Sequence, residues 1–237
     1  MKNGGPKNAS TVLLLRPDSQ GGFEILLTRR PAEMQFLGGF YVFPGGSIEA
    51  QDRSEKVFRR CRGLSGAEAQ GILGDRLGPE LSLAHWVAGI RELFEEVGIL
   101  LCVRATGAAP DLSNPDTARR FEQQRRALVA GSLDFGSFLE SEELYCELNR
   151  AVYFSHRVTP EMFPMRFDTR FYLAALPEGQ TALSSSEEVA DNLWTAPDQA
   201  LREANRSLPL LPPTTTMLQN LTAFDSWQSL CERYGLR

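Results

Sequence analysis

Apolar residues recur at helical spacing along residues 86–97, where Trp86, Val87, Ile90, Leu93, Phe94 and Val97 fall on one side of a predicted helix. At about 100° per residue, Glu92, Glu95 and Glu96 gather within roughly a quarter turn on the other side. Ser82 is the expected N-cap of this helix, and Gly98 followed by apolar Ile99 the expected left-handed C-cap. Upstream, residues 10–15 and 23–28 are apolar runs of strand length separated by Pro17, Asp18, Gly21 and Gly22, which predicts a hairpin. Residues 40–43 predict a short strand that delivers Pro44, Gly45 and Gly46 as a loop. Downstream, strands are predicted over 99–103, 151–155 and 167–176 and around Leu193 and Trp194. Helices are predicted over 117–130 and 137–147, from Pro197 onward, and as one closing helix over 212–234.

This order of strands and helices implies an α/β chain with one domain over residues 10–237, preceded by a polar, Gly-rich leader at 1–9. Two stretches interrupt it, at about 53–81 and 105–148, each with short helical pieces of its own. The first carries a basic run, Arg53, Lys56, Arg59, Arg60 and Arg62. The second carries Arg119, Arg120, Arg125 and Arg126, expected to face water. Strand alternation sets Asp168, Arg170 and Tyr172 on the face opposite Phe167, Thr169, Phe171 and Leu173, so Arg170 either lines a cleft or pairs across the sheet. Leu218, Leu221, Phe224, Trp227, Leu230 and Cys231 are spaced for a core or a homodimer face.

Composition narrows the function. With 237 residues, 42% hydrophobic, and a net charge of −5, the chain lacks the basic footprint of a general nucleic-acid binder. No apolar run approaches a membrane span, and the N-terminus lacks the apolar region of a signal peptide, so a cytoplasmic protein is expected. Four cysteines without ligand spacing read as free thiols. Two histidines, His85 and His156, form no triad with a nucleophile, which leaves carboxylates to carry the chemistry.

Those carboxylates stand in the last turn of their helix, near the negative end of its dipole, where acidic side chains are disfavoured. A bound cation is the natural compensation. Oxygen ligands at i, i+3 and i+4 suit a hard divalent ion, Mg²⁺ or Mn²⁺, that also takes substrate phosphate oxygens. Arg91, one turn before Glu95, is placed to orient a carboxylate. The glycine pair gives backbone groups close access to a metal or phosphate.

Together these residues resemble the Nudix hydrolase signature G-x5-E-x7-R-E-U-x-E-E-x-G-U, with U aliphatic. Gly46, Asp52 in the place of the first Glu, Arg91, Glu92, Leu93, Glu95, Glu96, Gly98 and Ile99 match it, with thirty-eight residues where the signature has seven. Leu26, Leu27, Thr28, Arg30, Gly39, Phe43, Pro44, Gly45, Gly46 and Asp52 are similar to the signature of the coenzyme A diphosphatase branch. Pro31, Gln35 and Glu49 depart from its Ser, Arg and Asp. The long interruption and the stretch at 157–177 look like the subgroup of that branch with an enlarged box.

The resemblance implies a Nudix fold, a mixed β-sheet sandwiched between helices. It implies metal held by Glu92, Glu95, Glu96 and the Gly46 carbonyl, with Asp52 supporting Arg91. Substrate would meet Arg30, Gly45, Gly46 and Arg170. In many Nudix enzymes a Glu from the loop before the last strand adds a ligand or the general base; Glu187 and Glu188 occupy that loop here, with Glu188 joining Glu92, Glu95 and Arg91 as the catalytic set. The implied reaction is hydrolysis of the diphosphate in coenzyme A or its acyl form to 3′,5′-ADP and (acyl-)4′-phosphopantetheine, with a residue of the basic run meeting the 3′-phosphate. Another nucleoside diphosphate derivative, such as ADP-ribose, NADH or a dinucleotide, and a non-catalytic nucleotide sensor are the alternatives.

Overall fold

The computed structural model of the chain describes residues 5–34, 37–204 and 206–236. Gln35, one of the three positions that depart from the branch signature, lies outside them, as do residues 1–4 of the expected leader. The chain is built around β1 (Lys7–Pro17), with Val12 to Leu15 buried without remainder. Residues 7–9, expected in the leader, therefore belong to the central strand. Lys7, Asn8 and Ala9 pair in parallel with Phe167, Asp168 and Thr169, a partner 160 positions away that local composition does not reveal.

β1 uses both edges. On one it runs parallel to β9 (Phe167–Ala175) along Lys7 to Leu15, and β8 (Val152–Val158) follows β9 antiparallel. On the other, Leu15 to Pro17 form the expected hairpin with β2 (Phe23–Arg29), which is flanked by β3 (Tyr41–Val42) and β10 (Asp191–Thr195). The rest of that edge takes β4 (Gly45–Ser47), with Ser10 opposite Gly46 and Thr11 opposite Gly45. The glycine pair is thus not a free loop but a short strand. Its expected looseness is replaced by ladder hydrogen bonds because β1 offers an unpaired edge there.

Period-2 alternation divides the hydrophobic load. Val12, Leu14, Leu26, Tyr172 and Ala174 face α3 (Pro79–Val97); Leu13, Leu15, Ile25, Leu27 and Leu173 face α7 (Pro212–Leu221) and α8 (Trp227–Tyr234). The mixed sheet lies between helices, as the resemblance implied. Each fully buried aliphatic side chain contributes about 1.5–3 kcal/mol, so both faces are anchored. The closing helix is two helices, broken at residues 222–226, and its buried Leu218, Leu221 and Leu230 serve the core.

α3 begins earlier than Ser82: Pro79 takes the first helical position after Gly78, and Ser82 is already inside and buried. It ends at Gly98, in the left-handed conformation at φ 73°, as expected. The two interruptions fold together. α1 (Glu55–Phe58), β5 (Cys61–Arg62) and α2 (Gly66–Leu73) come from the first; α4 (Pro115–Val129), α5 (Phe135–Ser141) and β7 (Leu144–Glu147) from the second. The predicted helix over 137–147 therefore ends at Ser141 and becomes a strand. β5, β7 and β6 (Cys102–Arg104) make a second sheet, with Cys61 and Cys102 on either side of Cys146. These cysteines and Cys231 are free thiols. α6 (Pro197–Glu203) follows β10 as predicted. Among the described residues no helix is long and apolar enough to cross a membrane.

Candidate active site

α3 carries the site on its last two turns. It is buried nearly all round, so the carboxylate side does not face open water: Glu92 is 9% and Glu96 5% exposed. Arg91, 1% exposed, organises this side. Its Nε and Nη2 donate to Asp52 Oδ1 and Oδ2 at 2.8 and 3.0 Å, its Nη1 to Glu95 Oε2 at 2.8 Å, and its Nη2 to the Ser47 carbonyl at 3.2 Å. Glu92 Oε1 is 2.9 Å from Nη1. Burial works against the Arg91 charge, but the Asp52 hydrogen bonds and the Glu92, Asp52 and Glu95 charges outweigh it and keep the guanidinium protonated. The shorter Asp52, in the place of a Glu, still reaches Arg91 with both oxygens. The thirty-eight-residue spacer loops out, and twelve of those residues are simply the earlier part of α3.

The remaining carboxylates are raised above their ordinary range. Burial pushes Glu92 up to about 7, with Arg91 opposing and Glu95 adding to the shift. Glu96 is raised by burial first, then by the Glu92 and Glu188 charges; Arg30 and the Gly45 N–H work the other way. Gly46 lies against Glu92 so closely that a Cβ there would stand 2.4 Å from Oε1. Gly46 and the helix carboxylates therefore meet despite the long interruption.

A cavity of about 530 Å³ opens here. Arg30, Gly45, Gly46, Arg91, Glu92, Glu95, Glu96 and Glu188 all line it. Thr11, Val42, Phe43, Phe167 and Thr169 add wall from the sheet, and Leu128, Val129 and Gly131 add it from the end of α4. Gln51, Leu128, Val129 and Gly131 were not expected in the site. Leu128 stands one stripe position after Phe121 and Arg125 on α4, and that seven-residue spacing is the signal that marks the inward face.

Other expected residues lie elsewhere. Arg170 does not line the cavity; it sits on the face of β9 toward α3, where its Nη1 is held by Asp168 Oδ1 and the Asn8 side chain. The reason is the strand's alternation: Phe167 and Thr169 take the cavity face, so Arg170 cannot. Glu187 is held by Arg125 and lines a small adjoining cavity with Glu92, Glu95 and Glu96, while Glu188 lines both cavities. None of the basic run 53–62 lines the cavity. Lys56 bonds Ser137, Arg59 pairs with Glu55, and Arg60 and Arg62 lie over the Tyr145 ring. His85 is buried, with Nδ1 3.0 Å from Ser10 Oγ, and burial lowers it to about 3. His156 pairs with Asp168 at the surface.

The donor set suits a hard divalent ion in kind, being all oxygen, with burial and neighbouring carboxylate charge raising Glu92 and Glu96 where a cation would offset both effects. It is not a ready three-carboxylate nest: among the described residues no three Asp, Glu, His or Cys groups are arranged to hold a metal. Glu92 and Glu95 both meet Arg91 Nη1, at 2.9 and 2.8 Å, so the guanidinium stands where a metal would compete for them.

A central mixed sheet, a helix bearing Arg-Glu-x-x-Glu-Glu, and a glycine strand under it together define a Nudix hydrolase site. The chain belongs to the family described as the NUDT19 Nudix domain, whose model matches residues 69–221. It is 29% identical over 240 residues to the acyl-coenzyme A diphosphatase NUDT19 of Gallus gallus, covering 88% of this chain and 63% of that protein. It is 27% identical over 246 residues to the Homo sapiens protein of the same name, covering 91% and 64%. The chain thus spans under two thirds of these relatives. The crystal structure of a NUDIX hydrolase from Alicyclobacillus acidocaldarius matches with a TM-score of 0.69 at 29% identity, over 94% of both chains.

Proposed function

We propose that the chain is a diphosphatase that hydrolyses coenzyme A or acyl-coenzyme A, releasing 3′,5′-ADP and 4′-phosphopantetheine or its acyl form. The observation that carries this reading is the joint position of Glu92, Glu96, Glu188, Gly46 and Arg30 around one cavity, and two relatives named acyl-coenzyme A diphosphatase support the substrate class. Arg30 offers a charge to the diphosphate, and the Gly45 and Gly46 backbone admits its oxygens without side-chain obstruction. Glu188 takes the proton of the attacking water, and the departing phosphate leaves in line. Arg91, fixed by Asp52 and Glu95, holds Glu92 in register. Mg²⁺ or Mn²⁺ held by Glu92, Glu96 and the Gly46 carbonyl would offset the diphosphate charge and lower the pKa of a bound water.

A second reading keeps the reaction and changes the substrate to ADP-ribose, NADH or a dinucleotide. It is favoured by the absence from the cavity lining of every basic residue in the run 53–62, which leaves that run without a role in reading a 3′-phosphate. The deciding experiment is hydrolysis of coenzyme A, acetyl- and long-chain acyl-coenzyme A, ADP-ribose, NADH and diadenosine polyphosphates with Mg²⁺, Mn²⁺ or EDTA, products resolved by mass. Release of 3′,5′-ADP, with a coenzyme A form as best substrate and loss in EDTA, is expected. Preference for a substrate without the 3′-phosphate selects the second reading. Nucleotide binding with no turnover of any substrate makes the chain a sensor and overturns both.

A further inference from the structure

Arg125 of α4 was expected to face water, yet it is 2% exposed. It lies on the same stripe of α4 as Phe121, which packs edge-on against Phe138, and Leu128, which lines the cavity. A buried guanidinium is costly unless its donors are met, and here they are met by three different elements. Nε and Nη2 donate to the Glu122 carboxylate at 2.8 and 3.0 Å. Nη1 donates to the Glu95 carbonyl at 2.6 Å. Nη1 and Nη2 both reach Glu187 Oε2 at 3.3 Å.

Each of the last two contacts has a consequence at the site. The Glu95 carbonyl is one of the four at the end of α3 that have no partner within the helix. A cation placed on it complements the negative end of the dipole, in the very turn that bears the carboxylates. Glu187 belongs to the loop whose next residue, Glu188, lines the cavity with Glu96. That loop is anchored at its ends, by Leu183 N–H to the Val97 carbonyl at 2.9 Å and by Ala190 N–H to the Arg29 carbonyl at 2.8 Å. Arg125 ties down its middle.

We infer that Arg125 is a positioning residue: a strut from the second insertion that fixes the Glu188 loop against the C-terminal end of the carboxylate helix. This rests on the proposed diphosphatase reading only in making Glu188 the base; the strut itself is independent of the reaction. A forked guanidinium is required, because Arg125 makes its contacts from three separate nitrogens, whereas a lysine carries the charge and its three donors on one. Arg125→Lys is therefore a disruptive change.

The test compares the wild type with Arg125→Lys and Glu187→Ala by hydrogen exchange of the metal-free chain, together with turnover of the best substrate found. In both variants the amides of residues 184–190 should exchange about tenfold faster or more, while those of β1 and β2 keep their protection. Turnover should fall in kcat by about tenfold or more with KM nearly unchanged, and in a Glu188→Gln background Arg125→Lys should cost less than about twofold more. Unchanged exchange at 184–190 in both variants overturns the strut. Faster exchange combined with fully additive losses in the Glu188→Gln background overturns its action through Glu188. Glu187→Ala removes the accepting oxygen but keeps the Glu122 and Glu95 bonds, so it decides the matter even where Arg125→Lys fails to fold. A chain that turns over no substrate leaves the exchange result standing and refutes the diphosphatase reading alone.

Discussion

Asp52 and Arg91, thirty-nine positions apart, meet through two hydrogen bonds of 2.8 and 3.0 Å with both side chains shut off from solvent. This pair closes the interrupted signature, since it brings the glycine strand and the carboxylate helix to one place. Removing one partner of a buried ion pair leaves the other charge uncompensated and costs about 3–5 kcal/mol. Glu92 and Glu95 still face Arg91 after Asp52→Asn, so the unfolding free energy in urea titration should fall by at most about that amount. A loss below about 1 kcal/mol would show the pair to be idle, at the level of an exposed one. Asp52→Glu restores the family's residue but adds a methylene to a fully buried position, with an expected cost of about 1–3 kcal/mol.

The two glycines of β4 should fail in different ways. A Cβ on Gly45 would stand 2.3 Å from the Ser10 carbonyl oxygen, which is backbone of the central strand and cannot give way. On Gly46 it would stand 2.4 to 2.7 Å from the Glu92 carboxylate, the free end of a flexible side chain. Gly45→Ala should thus lower the melting temperature strongly. Gly46→Ala should leave melting nearly intact and reduce turnover by about a hundredfold, because Glu92 is pushed from its place. Gly46→Ala with full activity would remove Glu92 from the machinery.

The first insertion packs into the core, and its basic run stands off the cavity. Val57 and Ala69 are fully buried in the same core cluster as Trp86 and Val87, whereas the Arg59 and Glu55 side chains are 73% and 79% exposed. Val57→Asp buries an unpaired charge and should abolish soluble expression. Arg59→Ala should change stability by less than about 0.5 kcal/mol and leave KM for coenzyme A unaltered. A large KM increase on Arg59→Ala would return the basic run to the substrate site.

These contrasts mark what a single sequence can tell. The carboxylate helix was legible because its period, its Gly98 cap and its Glu positions all agree within one turn of chain. Asp52 and Gly46 were legible through the signature in spite of the spacer. Arg170 and Arg125 exchanged expectations for a common reason: a strand's alternation or a helix's stripe says which residues share a face, not which way that face turns. For β9 the direction was set by β1, and for α4 by Phe121 and Phe138, partners distant in sequence. The strand at 144–147 was read as helix because its pairing, with β5 and β6 on either side, is equally non-local.

Glu92 links the site to stability in the metal-free protein. Burial raises it from the ordinary 4.5 to about 7 in the folded chain. A carboxylic acid with a raised folded pKa binds its proton more tightly folded than unfolded. Its contribution is therefore fully present below about 4.5 and lost as pH rises through about 7. Glu92→Gln cannot ionise, and groups that do not feel Glu92, such as buried His85, cancel in the difference; Glu96, raised by the Glu92 charge, adds to it. Relative to Glu92→Gln, the wild type should lose on the order of 3 kcal/mol between pH 4.5 and 7.5, read from urea midpoints in EDTA. The difference should shrink when Mg²⁺ is added, because a cation bound to the folded state stabilises the ionised carboxylate. Parallel stability curves for the two proteins across this range would show that Glu92 is ionised and solvated in the fold, and would remove it as a metal ligand held in reserve by its proton.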